Sequence, residues 1–202
     1  MKIKQIYFDI GGVLFTFRSG LEKLEIMTGL PYAECEKIWR ELDDAVCRGA
    51  LAPQEIWNTI KKKSGYSGAD IDFVDFWVNQ FEPIVATHEF VKKIEKNYQI
   101  GLLSNIYHGA FPLAVQRGKV PNISYKPIIL SSEIGFVKPN PEIYEIAEKQ
   151  ANLSPDEILY IDDLQNYILP AEQRGWNTFL FDTKNPTSSV SKLQTLFNLD
   201  IL

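Results

Sequence analysis

The stretch IKQIYFDIGGVL, residues 3–14, decides the fold of this 202-residue chain. Its first six residues form a short, mostly apolar run that is typical of a buried strand. The run ends at Asp9, and Gly11 and Gly12 follow within three residues. A carboxylate beside a glycine turn at the end of a strand indicates either a capping residue or part of a ligand site. The other motifs of the sequence distinguish these two interpretations.

Strands and helices alternate from about residue 84 onward. The predicted strands are YQIGLLS, KPIILS, EILYID and NTFLFD, and the predicted helices lie near residues 87–96, 108–117, 141–151, 166–174 and 188–197. Such alternation is typical of βαβ units. The sequence therefore predicts an α/β fold with a parallel sheet covered by helices on both faces.

The segment between these parts, about residues 16–82, has a different pattern. Apolar residues recur at helical spacing in LEKLEIM, YAECEKIWRELDDAV, PQEIWNTIKKK and IDFVDFWVNQF, and glycines and prolines separate these stretches. We expect about four helices here and no strand. The predicted division is a core of residues 1–15 and 84–202 with a helical insertion at 16–83. Trp39, Trp57 and Trp77 are expected to form mainly the hydrophobic core of that insertion.

The composition argues against some classes of partner and location. The net charge of −5, with no basic run, argues against nucleic acid or an anionic membrane as the main partner. The N-terminus resembles neither a signal peptide nor a membrane span, and no later stretch reaches about 18 uninterrupted apolar residues, so we expect a cytoplasmic protein.

Cys35 and Cys47 lack a histidine at metal-ligand spacing and are interpreted as reduced structural thiols.

Polar residues follow the predicted strands at their carboxyl ends. In a doubly wound parallel sheet these ends meet at one edge, where ligands bind. Each residue alone is an ordinary turn or cap residue, but the set indicates one site. The set consists of Asp9, Ser104, Asn105, Lys138, Asp162 and Asp163.

Three carboxylates at one edge repel each other, by roughly 4 kcal/mol for a pair about 4 Å apart. Lys138 relieves part of this repulsion, and a divalent cation would relieve the rest. Short carboxylates and backbone carbonyls are the hard oxygen ligands that Mg²⁺ prefers. The sequence therefore predicts Mg²⁺ as a cofactor.

These residues resemble the four motifs of the haloacid dehalogenase (HAD) superfamily, which stand here as FDIGGV, LLSN, GFVKPNPEIY and YIDDLQN. The resemblance covers nearly the whole chain. It implies a Rossmann-like strand order, a helical cap formed by the insertion, and a flexible flap at residues 11–17 that is coupled to cap movement.

The resemblance also implies a role for each residue. Asp9 matches the nucleophile that forms an aspartyl-phosphate, and Lys138 matches the lysine that neutralises the phosphate. Ser104 and Asn105, with Lys138, match the groups that bind the phosphoryl oxygens. The implied metal ligands are Asp9, the Gly11 carbonyl and Asp163, with Asp162 as a further ligand or as outer support. Leu164 and Tyr167 stand where many relatives carry small polar residues, which leaves Asn166 as the nearest candidate for supporting the metal site.

Gly11 departs from most phosphatases of the superfamily, which carry a second Asp at this position as general acid and base. The backbone carbonyl remains, but the proton-transfer group, worth typically about 10²–10⁴ in rate, is absent. The enzyme would then be slow, or would take a proton from water, the substrate or a cap side chain. His108 either lends a proton or is an exposed helix-start residue. An Asp-x-Gly subgroup related to sugar-1-phosphate phosphatases is similar here and in CRGALAPQEIW, residues 47–57.

Three functions fit these residues. The first is a Mg²⁺-dependent phosphatase acting on a small phosphorylated metabolite, with sugar phosphates among the expected substrates. The second is a metal-free 2-haloacid dehalogenase, a branch that also lacks the second Asp. The third is a non-catalytic protein that binds a phosphometabolite. The acidic pair at 162–163 favours the phosphatase, and the intact Asp9, Ser104 and Lys138 favour an enzyme.

Overall fold

The structure is a computed structural model that describes residues 3–17 and 19–198. The outer ends of the expected core, residues 1–2 and 199–202, and residue 18 of the expected insertion lie outside the described residues. The strands are β1 (Gln5–Phe8), β2 (Phe15–Phe17), β3 (Phe81–Pro83), β4 (Gln99–Ser104), β5 (Ile128–Leu130), β6 (Ile158–Asp162) and β7 (Asn177–Leu180). The helices are α1 (Gly20–Thr28), α2 (Tyr32–Cys47), α3 (Gln54–Ser64), α4 (Phe73–Asn79), α5 (Val85–Ile94), α6 (Ala110–Gln116), α7 (Ser131–Ile134), α8 (Pro141–Ala151), α9 (Gln165–Gln173) and α10 (Pro186–Leu196).

The main sheet has five parallel strands in the order β5-β4-β1-β6-β7. All four side chains of β1 are buried, which explains why this short strand lies in the centre, between β4 and β6. The parallel α/β sheet predicted from the alternation is confirmed, and so is the Rossmann-like strand order that the family resemblance implied.

Both faces of the sheet are covered by helices. Ile6 and Phe8 point to one face, where Phe8 packs against Phe90 of α5. Tyr7 points to the opposite face, where its ring stacks on Trp176 and its hydroxyl donates to a carbonyl of α8. Because successive side chains of a strand alternate between faces, the apolar run of β1 supplies both cores. The carboxyl ends of the strands remain as the place where a ligand can approach.

Four helices, α1–α4, lie between β2 and β3, as the apolar periodicity predicts. The expectation of no strand in this part of the chain was wrong. Phe15 pairs with Pro83 and Phe17 with Phe81 in a two-stranded antiparallel sheet, and the rings of Phe15 and Phe81 stack. Each strand is only three residues long, too short for an alternating pattern, and is stabilised by a partner distant in sequence.

The apolar interior of the helical insertion is continuous with the core on one face of the main sheet. Trp57 and Cys35 are buried there, and Cys47 is buried where α2 meets the core. No helix in the part of the chain that the structure describes is long and apolar enough to cross a membrane.

Candidate active site

A cavity of about 590 Å³ lies between the carboxyl edge of the main sheet and helices α1, α2 and α4. Most of the residues that the sequence singled out border this cavity: Asp9, Gly11, Ser104, Asn105, Lys138 and Asp163. Asp162 lies behind Lys138 and is fully buried. The topology of a parallel sheet thus brings together four segments that are distant in sequence.

Asp9 follows β1 directly, and its backbone N–H donates to the Ile161 carbonyl of the neighbouring strand at 2.9 Å. Its Oδ1 lies 2.9 Å from Lys138 Nζ, and both side chains are buried. Burial raises the pKa of Asp9 to about 7, against the opposing effect of the Lys138 charge and with a further rise from Asp162. Asp9 is therefore a poorly solvated carboxylate that faces a cavity, as a nucleophile requires.

The ammonium group of Lys138 is held on three sides. It donates to Asp9 Oδ1 at 2.9 Å, to Asp162 Oδ2 at 2.6 Å and to the Tyr160 hydroxyl at 2.9 Å. Burial disfavours its charge, but the two carboxylates outweigh this effect and hold the pKa of Lys138 above its ordinary value. All three N–H bonds of the ammonium are thus directed within the site.

Asn105 fixes the backbone of the same lysine. Its Oδ1 accepts from the Lys138 N–H at 2.8 Å, and its Nδ2 donates to the Lys138 carbonyl at 3.0 Å. The Tyr167 ring lies 4.8 Å from Lys138 Nζ and borders the cavity, whereas Asn166 is exposed and does not border it. The expectation that Asn166 supports the site was wrong, because α9 begins at residue 165 and turns Tyr167 toward the cavity instead.

Asp162 uses both of its oxygens inside the protein. Oδ2 accepts from Lys138 and from the Tyr160 hydroxyl, and Oδ1 accepts from the Leu164 N–H at 2.8 Å. Of the two roles that the sequence left open for Asp162, these contacts favour outer support over direct metal ligation.

Asp163 borders the cavity beside the turn at Gly12. Gly12 has a φ of +80°, and a Cβ on it would collide with the Asp163 carboxylate, so this close approach requires glycine. Thr183 Oγ1 lies 2.8 Å from the Gly12 carbonyl and 3.3 Å from Asp163 Oδ2. Burial, and then the charge of Asp162, raises the pKa of Asp163.

The acidic residues are suited to a divalent cation. Asp9, Asp162 and Asp163 each offer a carboxylate oxygen, and these oxygens lie within 4.8 Å of one another. Oxygen donors with a net negative charge are the set that Mg²⁺ prefers, so the residues present fit this ion.

Ser104 ends β4 and contributes a hydroxyl to the cavity. The hydroxyl is buried and has no hydrogen-bond partner among the described residues, although it lies close enough to Asp9 to lower the pKa of that carboxyl. A buried polar group without a partner normally costs stability, which indicates a role in holding a ligand oxygen.

Phe17 occupies the space beside Gly11. A Cβ on Gly11 would lie 3.0 Å from Cε2 of the Phe17 ring, and that ring is half exposed at the cavity. The position at which relatives carry a second acid is therefore covered by an aromatic side chain. His108 is exposed and does not border the cavity, so its location matches an exposed residue just before α6.

The insertion and the loop after β4 supply polar groups that the sequence did not indicate. The Tyr107 hydroxyl accepts from Trp39 Nε1 at 2.8 Å and donates to Asp43 Oδ1 at 2.5 Å. Trp57 is core, as expected, but Trp39 and Trp77 also border the cavity. No sequence pattern indicated Asp43 and Tyr107, because their pairing depends on how α2 packs over the sheet. Thr183 is the third residue after the end of β7, so the strand-end argument would have found it.

Comparisons with known proteins agree with this geometry. A family model described as haloacid dehalogenase-like hydrolase matches residues 3–175. D-ribitol-5-phosphate phosphatase from Bacteroides thetaiotaomicron is 26% identical over 191 residues, which cover 88% of this chain and 91% of that protein.

Solved structures show the same fold. A HAD family enzyme from Bacteroides thetaiotaomicron has a TM-score of 0.80 at 20% identity, covering 96% of this chain and 98% of that one. A structure of that enzyme with magnesium and inorganic phosphate has a TM-score of 0.71 at 21% identity, covering 90% and 95%. L-2-haloacid dehalogenase from Xanthobacter autotrophicus has a TM-score of 0.66 at 18% identity, covering 89% and 77%. The family model matches most of the chain, and this protein therefore belongs to the haloacid dehalogenase-like hydrolases.

Proposed function

We propose that this protein is a Mg²⁺-dependent phosphatase that hydrolyses a small phosphorylated metabolite through an aspartyl-phosphate at Asp9. The observation that carries the proposal is the convergence of Asp9, Lys138, Ser104 and Asp163 at one cavity. We further propose that residues 16–83 form the cap and that residues 1–15 and 84–202 form the core.

The chemistry follows from the contacts of Asp9. Its carboxylate oxygen attacks the phosphorus, the bond from phosphorus to the ester oxygen breaks, and the leaving alkoxide takes a proton from water. Water then attacks the aspartyl-phosphate, which releases inorganic phosphate and restores Asp9. The Lys138 ammonium, 2.9 Å from Asp9, offsets the negative charge that collects there, and the Ser104 hydroxyl donates to a phosphoryl oxygen.

Mg²⁺ would be held by Asp9, Asp163 and the Gly11 carbonyl, with Asp162 as outer support. When bound, the ion would offset the charge of the carboxylates and of the phosphate dianion. Magnesium in the solved HAD family structures supports this choice of ion.

The substrate class is proposed from a relative whose name states its substrate. D-ribitol-5-phosphate phosphatase aligns with 88% of this chain, which supports a polyol or sugar phosphate as substrate. A cavity of about 590 Å³ is of the size that holds a small metabolite.

The geometry supports a phosphatase better than the two other functions. A haloacid carries a carboxylate of its own, which the charge of Asp163 would repel in a site without a metal ion. A protein that only binds a phosphometabolite would have no need for an aspartate directed at the phosphate, because two anions repel each other.

The proposal is tested by a screen of phosphorylated metabolites with Mg²⁺ and with the metal removed by a chelator. We expect hydrolysis of polyol or sugar phosphates that requires Mg²⁺. Hydrolysis of 2-haloacids without metal, or binding of phosphometabolites with no turnover of any, would contradict it.

A further inference from the structure

We propose that Asp43, oriented by Tyr107, is a specificity-determining residue that accepts a hydrogen bond from a hydroxyl group of a neutral, polyhydroxylated leaving group. This inference rests on the proposed phosphatase function and deepens it. It assigns the part of the cavity that helix α2 borders.

Asp43 lies in the last third of α2 and borders the same cavity as Asp9. Its Oδ1 accepts from the Tyr107 hydroxyl at 2.5 Å, with the Cys47 thiol 3.9 Å away. Its second oxygen, Oδ2, has no hydrogen-bond partner within the described part of the chain, and the side chain is only half-buried. One oxygen is thus fixed by the protein, and the other remains available to a ligand.

Tyr107 determines how Asp43 presents that oxygen. Because the Tyr107 hydroxyl accepts from Trp39 Nε1, its own proton is directed to Asp43. A carboxylate that accepts this hydrogen bond at one oxygen remains an acceptor at its second oxygen. The free oxygen therefore selects a ligand group that donates, such as a hydroxyl, and rejects a group that only accepts.

Tyr107 also connects this acceptor to the phosphate site. It follows Asn105, the residue that holds the Lys138 backbone, by two positions. At the end of α2, Arg48 Nη2 donates to Asn140 Oδ1 at 3.0 Å, which anchors this helix beside the loop of Lys138. The acceptor and the phosphate site are therefore fixed relative to each other by hydrogen bonds on both sides.

The walls around Asp43 suit a polyol. Trp39 and Trp77 border the cavity, and their ring centroids lie 6.3 Å apart. Aromatic faces pack against the C–H groups of a polyhydroxylated chain while polar groups at the edge bind its hydroxyls. Glu22 also borders the cavity, so the described lining on this side carries negative charge besides that of Asp43, which opposes a second anionic group on the substrate.

The experiment compares two substrates that differ at one group. D-Ribitol 5-phosphate and ribonate 5-phosphate share a five-carbon chain, but the ribonate has a carboxylate in place of the CH₂OH group farthest from the phosphate. 4-Nitrophenyl phosphate, which has no such group, measures the phosphate site in every protein, and both rates are expressed relative to it. The proteins are the wild type, Asp43→Asn, Tyr107→Phe and the control Glu41→Gln, which removes an exposed charge from the same helix.

We expect the wild type to favour the ribitol ester by at least about 10-fold in kcat/KM, since an unpaired anion beside Asp43 opposes binding. Asp43→Asn should reduce this preference about 10-fold, mainly through KM, because the lost interaction contributes to substrate binding. Tyr107→Phe keeps the ring and deletes only the hydroxyl, so it should reduce the preference by about 3-fold. Glu41→Gln should match the wild type.

An unchanged preference in both Asp43→Asn and Tyr107→Phe overturns this inference. If the wild type hydrolyses 4-nitrophenyl phosphate in that case, the proposed phosphatase function stands and only the role of Asp43 is lost. If the wild type hydrolyses none of the three esters with Mg²⁺, both proposals are wrong. Should Asp43→Asn fail to fold, as judged by circular dichroism, Tyr107→Phe alone decides the result.

Discussion

Lys138 Nζ lies 2.6 Å from Asp162 Oδ2, and both side chains are fully buried. Neither group can exchange its partner for water without opening the core. Because Tyr160 and the Leu164 N–H also bind Asp162, the lysine is fixed before any substrate arrives. A preorganised positive charge of this kind needs no rearrangement when negative charge develops on the phosphate.

The first prediction concerns the stability of this pair. Asp162→Ala leaves Lys138 without one of its buried anionic partners, which typically costs about 3–5 kcal/mol of the free energy of unfolding. Urea unfolding at neutral pH measures the change. Asp156→Ala, at an exposed position, is the control and should lie within about 0.5 kcal/mol of the wild type. Equal stability of the Asp162 variant and the control would show that the pair is not structural.

The second prediction concerns the nucleophile. Asp9→Asn keeps the shape of the side chain but removes the ionised oxygen, so turnover of every phosphate ester should become undetectable. Beryllium fluoride, which mimics a phosphoryl group on a carboxylate, should bind the wild type but not the variant, as measured by fluorine NMR. Near-normal turnover by Asp9→Asn would exclude a covalent intermediate at this residue.

The third prediction is a pH dependence of stability in metal-free protein. Burial raises the pKa of Asp9 from 3.8 to about 7, so between these values the folded state binds more protons than the unfolded state. This contribution to the free energy of unfolding is therefore full below about pH 4 and is lost as the pH rises through 7, by up to roughly 4 kcal/mol. Asp9→Asn removes the titrating group.

The test measures urea unfolding with a chelator between pH 4 and 8 for the wild type and Asp9→Asn. As the pH rises, the free energy of unfolding of the variant should increase relative to that of the wild type. A difference that is constant with pH would mean that Asp9 has an ordinary pKa in the folded protein.

The fourth prediction concerns the metal. Asp163→Asn should weaken Mg²⁺ binding by at least about 10-fold in calorimetric titration, because a neutral amide is a poorer ligand for a hard cation. Asp182→Asn, an exposed change near the same edge of the sheet, should leave the affinity unchanged. Equal affinities in the wild type and both variants would place the ion elsewhere.

The fifth prediction concerns Gly11 and Phe17. An aspartate at residue 11 meets the Phe17 ring, so Gly11→Asp alone should give little gain in rate. The double variant Gly11→Asp, Phe17→Ala frees that space and should speed hydrolysis of alkyl phosphates by up to about 10², the lower end of general-acid effects.

Aryl phosphates are the internal control for the double variant, because their leaving groups need no protonation. Phe17→Ala alone separates the effect of the freed space from that of the added acid. An equal gain for alkyl and aryl esters would indicate that the change acts on access to the cavity rather than on proton transfer.

The phosphate end of the site was predictable because it follows from topology. Asp9, Ser104 and Asp163 each lie at or directly after the carboxyl end of a parallel strand, and such ends meet at one edge whatever the intervening helices do. The strands themselves were recognisable as apolar runs, and their alternation with helices predicted that they run parallel.

The part of the cavity around Asp43, where we place the leaving group, was not predictable, because it depends on helix packing rather than on strand topology. Asp43 and its neighbour Asp44 look alike in the sequence, yet only Asp43 borders the cavity, while Asp44 pairs with Arg48 on the surface. The hydrogen bond between Tyr107 and Asp43 joins residues 64 positions apart, and it depends on how α2 lies over the sheet. Periodicity locates the buried side of a helix but does not choose among the polar residues at its border.

The antiparallel pairing of β2 with β3 has a consequence for evolution. Neighbouring strands lie about 5 Å apart, so the two ends of the helical segment are separated by little more than one residue length. A tight turn could join these ends without moving any strand of the main sheet. The helices can therefore be exchanged for a shorter or unrelated segment as one genetic unit, which would replace the leaving-group contacts and preserve the phosphate chemistry. Chimeric genes joined at residues 17 and 81 are the natural way to transplant one enzyme's substrate range onto another enzyme's core.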